Sequence, residues 1–279
     1  MTGGAGARRA VRAVQGALPR TRGGLVILAY HLVGAGTRSP VDLPAARFRR
    51  QMAELAREAE PISLPAALGR LAAGLPAAAR PAVAVTFDDA HQNFVRVAWP
   101  VLRDLRIPVA LYVPTGFIDR RTVSPIRGAE HLPPATWDEL EALAADELVT
   151  IGSHGVSHAN LALAGEELAR RELAESRRRL EDRLGVAVED FCYPEGGRTR
   201  AVERLAAERY RSAVAAGGRR VGRRSRPTAL PRVPIRCDMP EALAPVLGAP
   251  VWLEEWLAAR ARALRWRRRR PSGPTRGGL

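Results

Sequence analysis

The chain has 279 residues, 46% of them apolar, which is enough to fill one large core or two small ones and excludes general disorder. Its formal net charge is +15, with arginine as the only strong base and no lysine anywhere, so anionic partners are favoured even though the arginine bias itself reads as coding composition. Two cysteines exclude a disulfide framework, and no secretory h-region or run of about 18 apolar residues is present, so a cytoplasmic chain that does not span a membrane is expected.

Residues 1–22 are small, polar and arginine-bearing and are expected to form a flexible N-terminal arm. The folded domain is expected over 23–244, beginning with the apolar run Leu25–Tyr30, a buried parallel strand that ends on His31. Phe48, Met52, Leu55 and Ala59 recur at helical spacing from Pro44 to Ala59. A short strand is read at Ile62–Leu64 and a short helix from Pro65 to Leu75. Ala82–Phe87 reads as a buried strand running into Asp88 and Asp89. His91 to Asp104 reads as a helix kinked by Pro100, followed by a strand at Val109–Val113 and a long polar loop over 119–135.

Thr136 and Glu139 form a capping box for a helix to Ala145. The strand Leu148–Ile151 leads to Gly152-Ser153-His154, and a charged helix spans 165–184. Phe191–Pro194 is a strand end, a helix lies near 199–208, and Ser212–Ala215 and Val233–Ile235 are the last strands. Alternating strands and helices predict an α/β sheet or barrel with right-handed crossovers. From 245 to 279 the chain is a basic segment rich in Trp and Arg, expected to be helical at first; it either packs its tryptophans on the domain or lies on an anionic membrane face.

Adjacent side chains on a strand point to opposite faces, so Asp88 and Asp89 converge on one pocket only where the strand has ended. The competing assignment is Asp89 as a helix N-cap and Asp88 as a loop carboxylate. His154 and His158 change the balance. Four residues apart, they share a face wherever the chain makes a helical turn, and two imidazoles with one carboxylate make a three-ligand, open-position metal site. The second carboxylate is then free to take a proton.

Thr86-Phe87-Asp88-Asp89 together with Ser153-His154-Gly155-Val156-Ser157-His158 resembles the first two motifs of the polysaccharide deacetylases, the NodB-homology domain of carbohydrate esterase family four. Tyr30-His31, Pro108–Gly116, Trp137–Leu140, Glu172–Gly185 and Phe191–Gly196 extend the resemblance over roughly 25 to 236. The resemblance implies a distorted (β/α) barrel that removes N-acetyl groups from amino sugars of a glycan or its precursor. It implies a divalent metal, zinc first with cobalt or manganese as alternatives, held by Asp89, His154 and His158. It also makes Asp88 the general base and gives the backbone near Glu195 a share of the oxyanion.

Three departures stand out. Ala90 and His91 replace the Gly and aromatic residue that usually follow the aspartates, and His91 is read as a solvated loop histidine rather than an extra ligand or substrate contact. Cys192 stands where the third motif often has an arginine that orients the base, and no histidine follows His158 to serve as the late general acid. His31, which on its own could equally be a core residue, is the candidate acid; Arg232 is a weak candidate for orienting a carboxylate. Alternatives to an active deacetylase are a carbohydrate-binding relative that has lost catalysis, a deacetylase of a lipid-linked intermediate at a membrane face, and a nucleic-acid binder with only charge in its favour.

Overall fold

The structure is a computed structural model and describes residues 24–217, 220–243 and 246–247. The expected N-terminal arm and nearly all of the basic C-terminal segment lie outside the described residues.

In chain order the elements are β1 (Leu25–Tyr30), β2 (Leu32–Val33), β3 (Asp42–Leu43), α1 (Ala45–Glu58), β4 (Glu60–Pro61), α2 (Leu64–Ala72), β5 (Ala82–Phe87), a π-helical turn (Phe94–Ala98) running into α3 (Trp99–Asp104), β6 (Val109–Val113), α4 (Thr115–Ile118), α5 (Trp137–Ala144), β7 (Val149–Ser153), α6 (Glu166–Leu184), β8 (Asp190–Cys192), α7 (Arg200–Ala207), β9 (Ser212–Ala216) and β10 (Leu230–Pro234). Each pairing between these strands is parallel. The order β1-β10-β9-β8-β7-β6-β5 closes on itself because β5 also pairs with β1 along its whole length, giving a seven-stranded barrel. β4 pairs with Ala82 and Val83 at the start of β5, while β6 pairs with Val85 to Phe87 at its end.

The alternation of the strands divides the core in two. Leu25, Ile27, Ala82, Ala84, Ala110, Tyr112, Cys192 and Val214 cluster together, joined by Leu64 and Ala67 of α2 at the end where β1 and β5 begin. The alternate residues, among them Val26, Leu28, Val83, Val85, Val109 and Leu111, pack against Phe48, Met52 and Leu55 of α1 and Leu173 of α6. Strands covered on both faces in this way must be apolar throughout, which is why they read as continuous runs. Tyr30 and Phe87, the last residues of β1 and β5, stack at 5.3 Å and meet Phe48 and Phe94 edge-on or tilted. This aromatic cluster is a rigid base beneath His31 and Asp88, the residues next in the chain.

Several elements differ from expectation: β2, β3 and α4 are additional, β10 begins at Leu230 rather than Val233, and two further boundaries have a local cause. The short strand is Glu60–Pro61 rather than Ile62–Leu64, because Ser63 accepts from the Ala66 N–H and caps α2. The helix expected from His91 begins instead as a π turn, widened where Pro100 has no N–H to donate. The capping box of Thr136 and Glu139 forms as expected. No helix among the described residues is long and apolar enough to cross a membrane.

Candidate active site

The register of β1 against β5, with Tyr30 opposite Phe87, delivers His31 and Asp88 side by side at the carboxyl ends of the strands. The His31 Nε2 lies 3.6 Å from Asp88 Oδ2. Asp88 is buried, and Arg232 of β10 grips it with a fork, Nη1 to Oδ1 at 2.7 Å and Nη2 to Oδ2 at 2.6 Å. The same guanidinium donates to Thr86 Oγ1 at 2.8 Å and to Cys192 Sγ at 2.9 Å. Thr86 donates its own proton to the Leu28 carbonyl, so the fork is fixed from behind. Burial alone would raise the Asp88 carboxyl, but the charge and hydrogen bonds of Arg232 override it and hold Asp88 well below the usual carboxylate range. Asp88 is therefore ionised.

Arg232 thus fills the place that Cys192 leaves empty. Sequence alone gave this residue little weight, because nothing marks one arginine among 44 and its partner is 144 positions away. Burial pushes the Cys192 thiol well up, so it is a neutral neighbour of the pair.

Asp89 faces the other way. Its backbone turns left-handed (φ 72), as does Ala90 (φ 47), and its Oδ1 is buried without a hydrogen-bond partner. That oxygen sits 3.6 Å from His154 Nε2 and 3.5 Å from His158 Nε2. His154 bonds the Cys192 carbonyl through Nδ1 at 2.7 Å, which puts its proton on Nδ1 and leaves the Nε2 lone pair toward Asp89. Burial lowers His154 to about 3, and lowers His158 too, so both rings are neutral. Burial, and then the neighbouring Asp88 charge, push Asp89 well up. A buried carboxyl group whose Oδ1 has no hydrogen-bond partner among the described residues, beside two neutral imidazoles, would be stabilised in its ionised form by a cation, and one donor atom from each residue lies within 4.8 Å of the others. The residues fit a divalent ion. Asp88, His154 and Cys192 also cluster, but both Asp88 oxygens are committed to Arg232 and the thiol is protonated, so that trio fits poorly.

The loop that carries the two histidines is held from below by α6. The Glu172 carboxylate accepts from Val156 N at 2.7 Å, Ser157 N at 3.0 Å and Ser157 Oγ at 2.6 Å. Gly155 (φ 79) is needed there, since a Cβ would stand 2.7 Å from Glu172 Oε2. On the other side Thr115 N and Gly116 N of α4 donate to the carbonyls of Gly155 and Val156.

Glu195 lies in the turn after β8 with φ 55; its side chain is exposed and accepts from Asn160 Nδ2 at 2.7 Å. His91 corrects the expectation of a solvated loop residue. It is fully buried, with Nε2 2.7 Å from Ser124 Oγ and its ring against Phe117, and it belongs to neither metal-competent cluster. The partner Ser124, 33 residues on inside a patternless loop, gives no signal in the sequence.

A family model described as Polysaccharide deacetylase matches residues 76–212, a span that holds Asp88, Asp89, His154 and His158 but neither His31 nor Arg232. No curated protein matches the chain in sequence. Among solved structures, the deacetylase PplD of Streptococcus pyogenes superposes with a TM-score of 0.66 at 20% identity, covering 79% of this chain and 96% of that one. IcaB from Ammonifex degensii gives 0.66 at 24% identity, with 78% and 95% covered. A de-N-acetylase from Aggregatibacter actinomycetemcomitans gives 0.66 at 16%, with 77% and 96% covered. At these identities the structures speak for the barrel, and the family model speaks for the motifs set on it: over residues 76–212 the chain carries the domain of the polysaccharide deacetylases, a family of hydrolases of carbon–nitrogen bonds other than peptide bonds.

Proposed function

We propose that the chain hydrolyses N-acetyl groups from amino sugars of a glycan, releasing acetate and a free amine, with Asp88 as base and a divalent ion, zinc first, on Asp89, His154 and His158. The observation that carries this is the split between two adjacent carboxylates: Asp88 held ionised by one Arg232 hydrogen bond to each oxygen, which leaves a lone pair on each, and Asp89 with a bare oxygen toward two imidazoles. When bound, the ion supplies Lewis acidity for the acetamide carbonyl and for the attacking water.

Asp88 accepts the proton of the water as its oxygen attacks the acetamide carbon. Arg232 keeps the carboxylate ionised and aimed, and His31, 3.6 Å away and 23% exposed where Asp88 is buried, returns that proton to the leaving amine. The backbone around Glu195 is the candidate oxyanion donor. The Streptococcus pyogenes deacetylase of the same fold was solved with acetate, the product such a reaction releases.

The test is acetate release from N-acetylhexosamine oligomers in the presence of zinc, cobalt or manganese. Asp88→Asn is expected to lose about 100-fold or more in kcat. Absence of release by the unmodified chain across a broad glycan panel would overturn the assignment, and unchanged turnover in His31→Ala would remove His31 from it.

A further inference from the structure

We propose that His91 is a positioning residue: its bond to Ser124 holds the Asp89–Ala90 turn in the left-handed conformation that aims Asp89 at the two histidines. The inference rests on the reading of Asp89 as a metal ligand.

Two successive residues other than glycine, Asp89 at φ 72 and Ala90 at φ 47, take up a conformation that alanine resists because its Cβ meets the backbone. Aspartate tolerates it; alanine needs support from outside. Ala90 is fully buried, so its methyl group cannot turn to solvent. The segment after α4 provides the support. Ala135 N donates to the Ala90 carbonyl at 2.9 Å, Gln92 N to the Pro133 carbonyl at 3.1 Å, and His91 and Pro134 form an isolated bridge. Those contacts are backbone to backbone and any sequence could make them.

The side-chain tie, by contrast, depends on which residues stand there. His91 Nε2 and Ser124 Oγ, both buried, meet at 2.7 Å, and Ser124 Oγ also accepts from Ile126 N at 3.3 Å. The His91 ring lies 5.0 Å from that of Phe117. Ile126 and Ala129 in turn pack on Leu32, the residue after His31. One loop is therefore pinned both to the turn of Asp89 and to the strand end of His31. Among the described residues His91 Nδ1 has no partner, so Ser124 is the one hydrogen bond among them that fixes the ring. If the tie is cut, a left-handed alanine is no longer compensated and the turn can relax away from the histidines.

The experiment measures the Zn²⁺ dissociation constant by chelator competition, and the metal-free thermal midpoint, on the full chain. Ser124→Ala is expected to weaken Zn²⁺ about tenfold, equivalent to about 1.4 kcal/mol. His91→Phe combined with Ser124→Ala removes both polar partners and keeps the ring on Phe117, so the midpoint returns toward that of the unmodified chain while Zn²⁺ stays weak. Adding Ala90→Gly, which accepts positive φ freely, restores Zn²⁺ affinity. A double variant that binds Zn²⁺ like the unmodified chain, or no rescue by Ala90→Gly, overturns the proposal. If His154→Ala leaves Zn²⁺ affinity unchanged, the ligand assignment itself is overturned, and this role with it.

Discussion

Asp88 depends on one guanidinium. Burial works against its charge, and Arg232 opposes burial through two hydrogen bonds and a positive charge held beside the carboxylate. Arg232→Gln leaves burial unopposed. The Asp88 carboxyl then rises, the ionised form of this proposed base is lost at a higher pH, and the acid limb of kcat/KM is expected to move upward; a pH–rate profile reads this directly. Because a buried partner is also left alone, stability falls by about 3–5 kcal/mol in denaturant unfolding. Arg232→Lys keeps the charge but not the fork, so it is expected to fall between the two. An unmoved acid limb in Arg232→Gln would show that Arg232 does not set the state of Asp88.

At the scale of elements, the site consists of strand ends and the loops they launch, each braced by something distant in sequence. Glu172 on α6 ties down the loop of His154 and His158 with three accepted bonds. Glu172→Gln offers one acceptor oxygen and a donor amide to the same three donors, so the loop loosens; metal affinity is expected to fall about ten- to a hundredfold while the fold, followed by circular dichroism, persists. Such bracing explains what could be read beforehand. The histidine pair and the two aspartates are local patterns, so both were visible as a string of letters, as was the capping box of Thr136 and Glu139. The bond of His91 to Ser124 and the fork from Arg232 to Asp88 cross 33 and 144 positions, and no local rule joins them. The short β4 escaped for another reason: two residues carry no periodicity, and the apolar Ile62 beside them drew the boundary forward.

Most strands of the barrel were legible because parallel strands buried on both faces cannot hide among polar residues, and the barrel itself was implied only by the family resemblance. Closure was not legible, since nothing in the run Leu25–Tyr30 says that its neighbours are β5 and β10. The proposed metal has a consequence at this scale too. A ligand that binds only the folded chain stabilises it by about 2.7 kcal/mol at a concentration 100 times its Kd, so the thermal midpoint is expected to rise by about 5–10 °C. Chelator should reverse the rise, and His154→Ala should abolish it; a shift that persists in His154→Ala would place the ion elsewhere.

β10 is the last strand of the barrel to be synthesised and also the one that brings Arg232 to Asp88. Both carboxylates and both histidines have left the ribosome long before it. Until β10 inserts between β1 and β9, Asp88, the proposed base, is a charge without its counter-ion, and the half-built cylinder has every reason to stay open and hydrated around it. Closing the barrel and neutralising its interior are thus one event, so a nascent or truncated chain that ends before Leu230 should be unable to assemble an active centre, however much of the earlier fold it has formed.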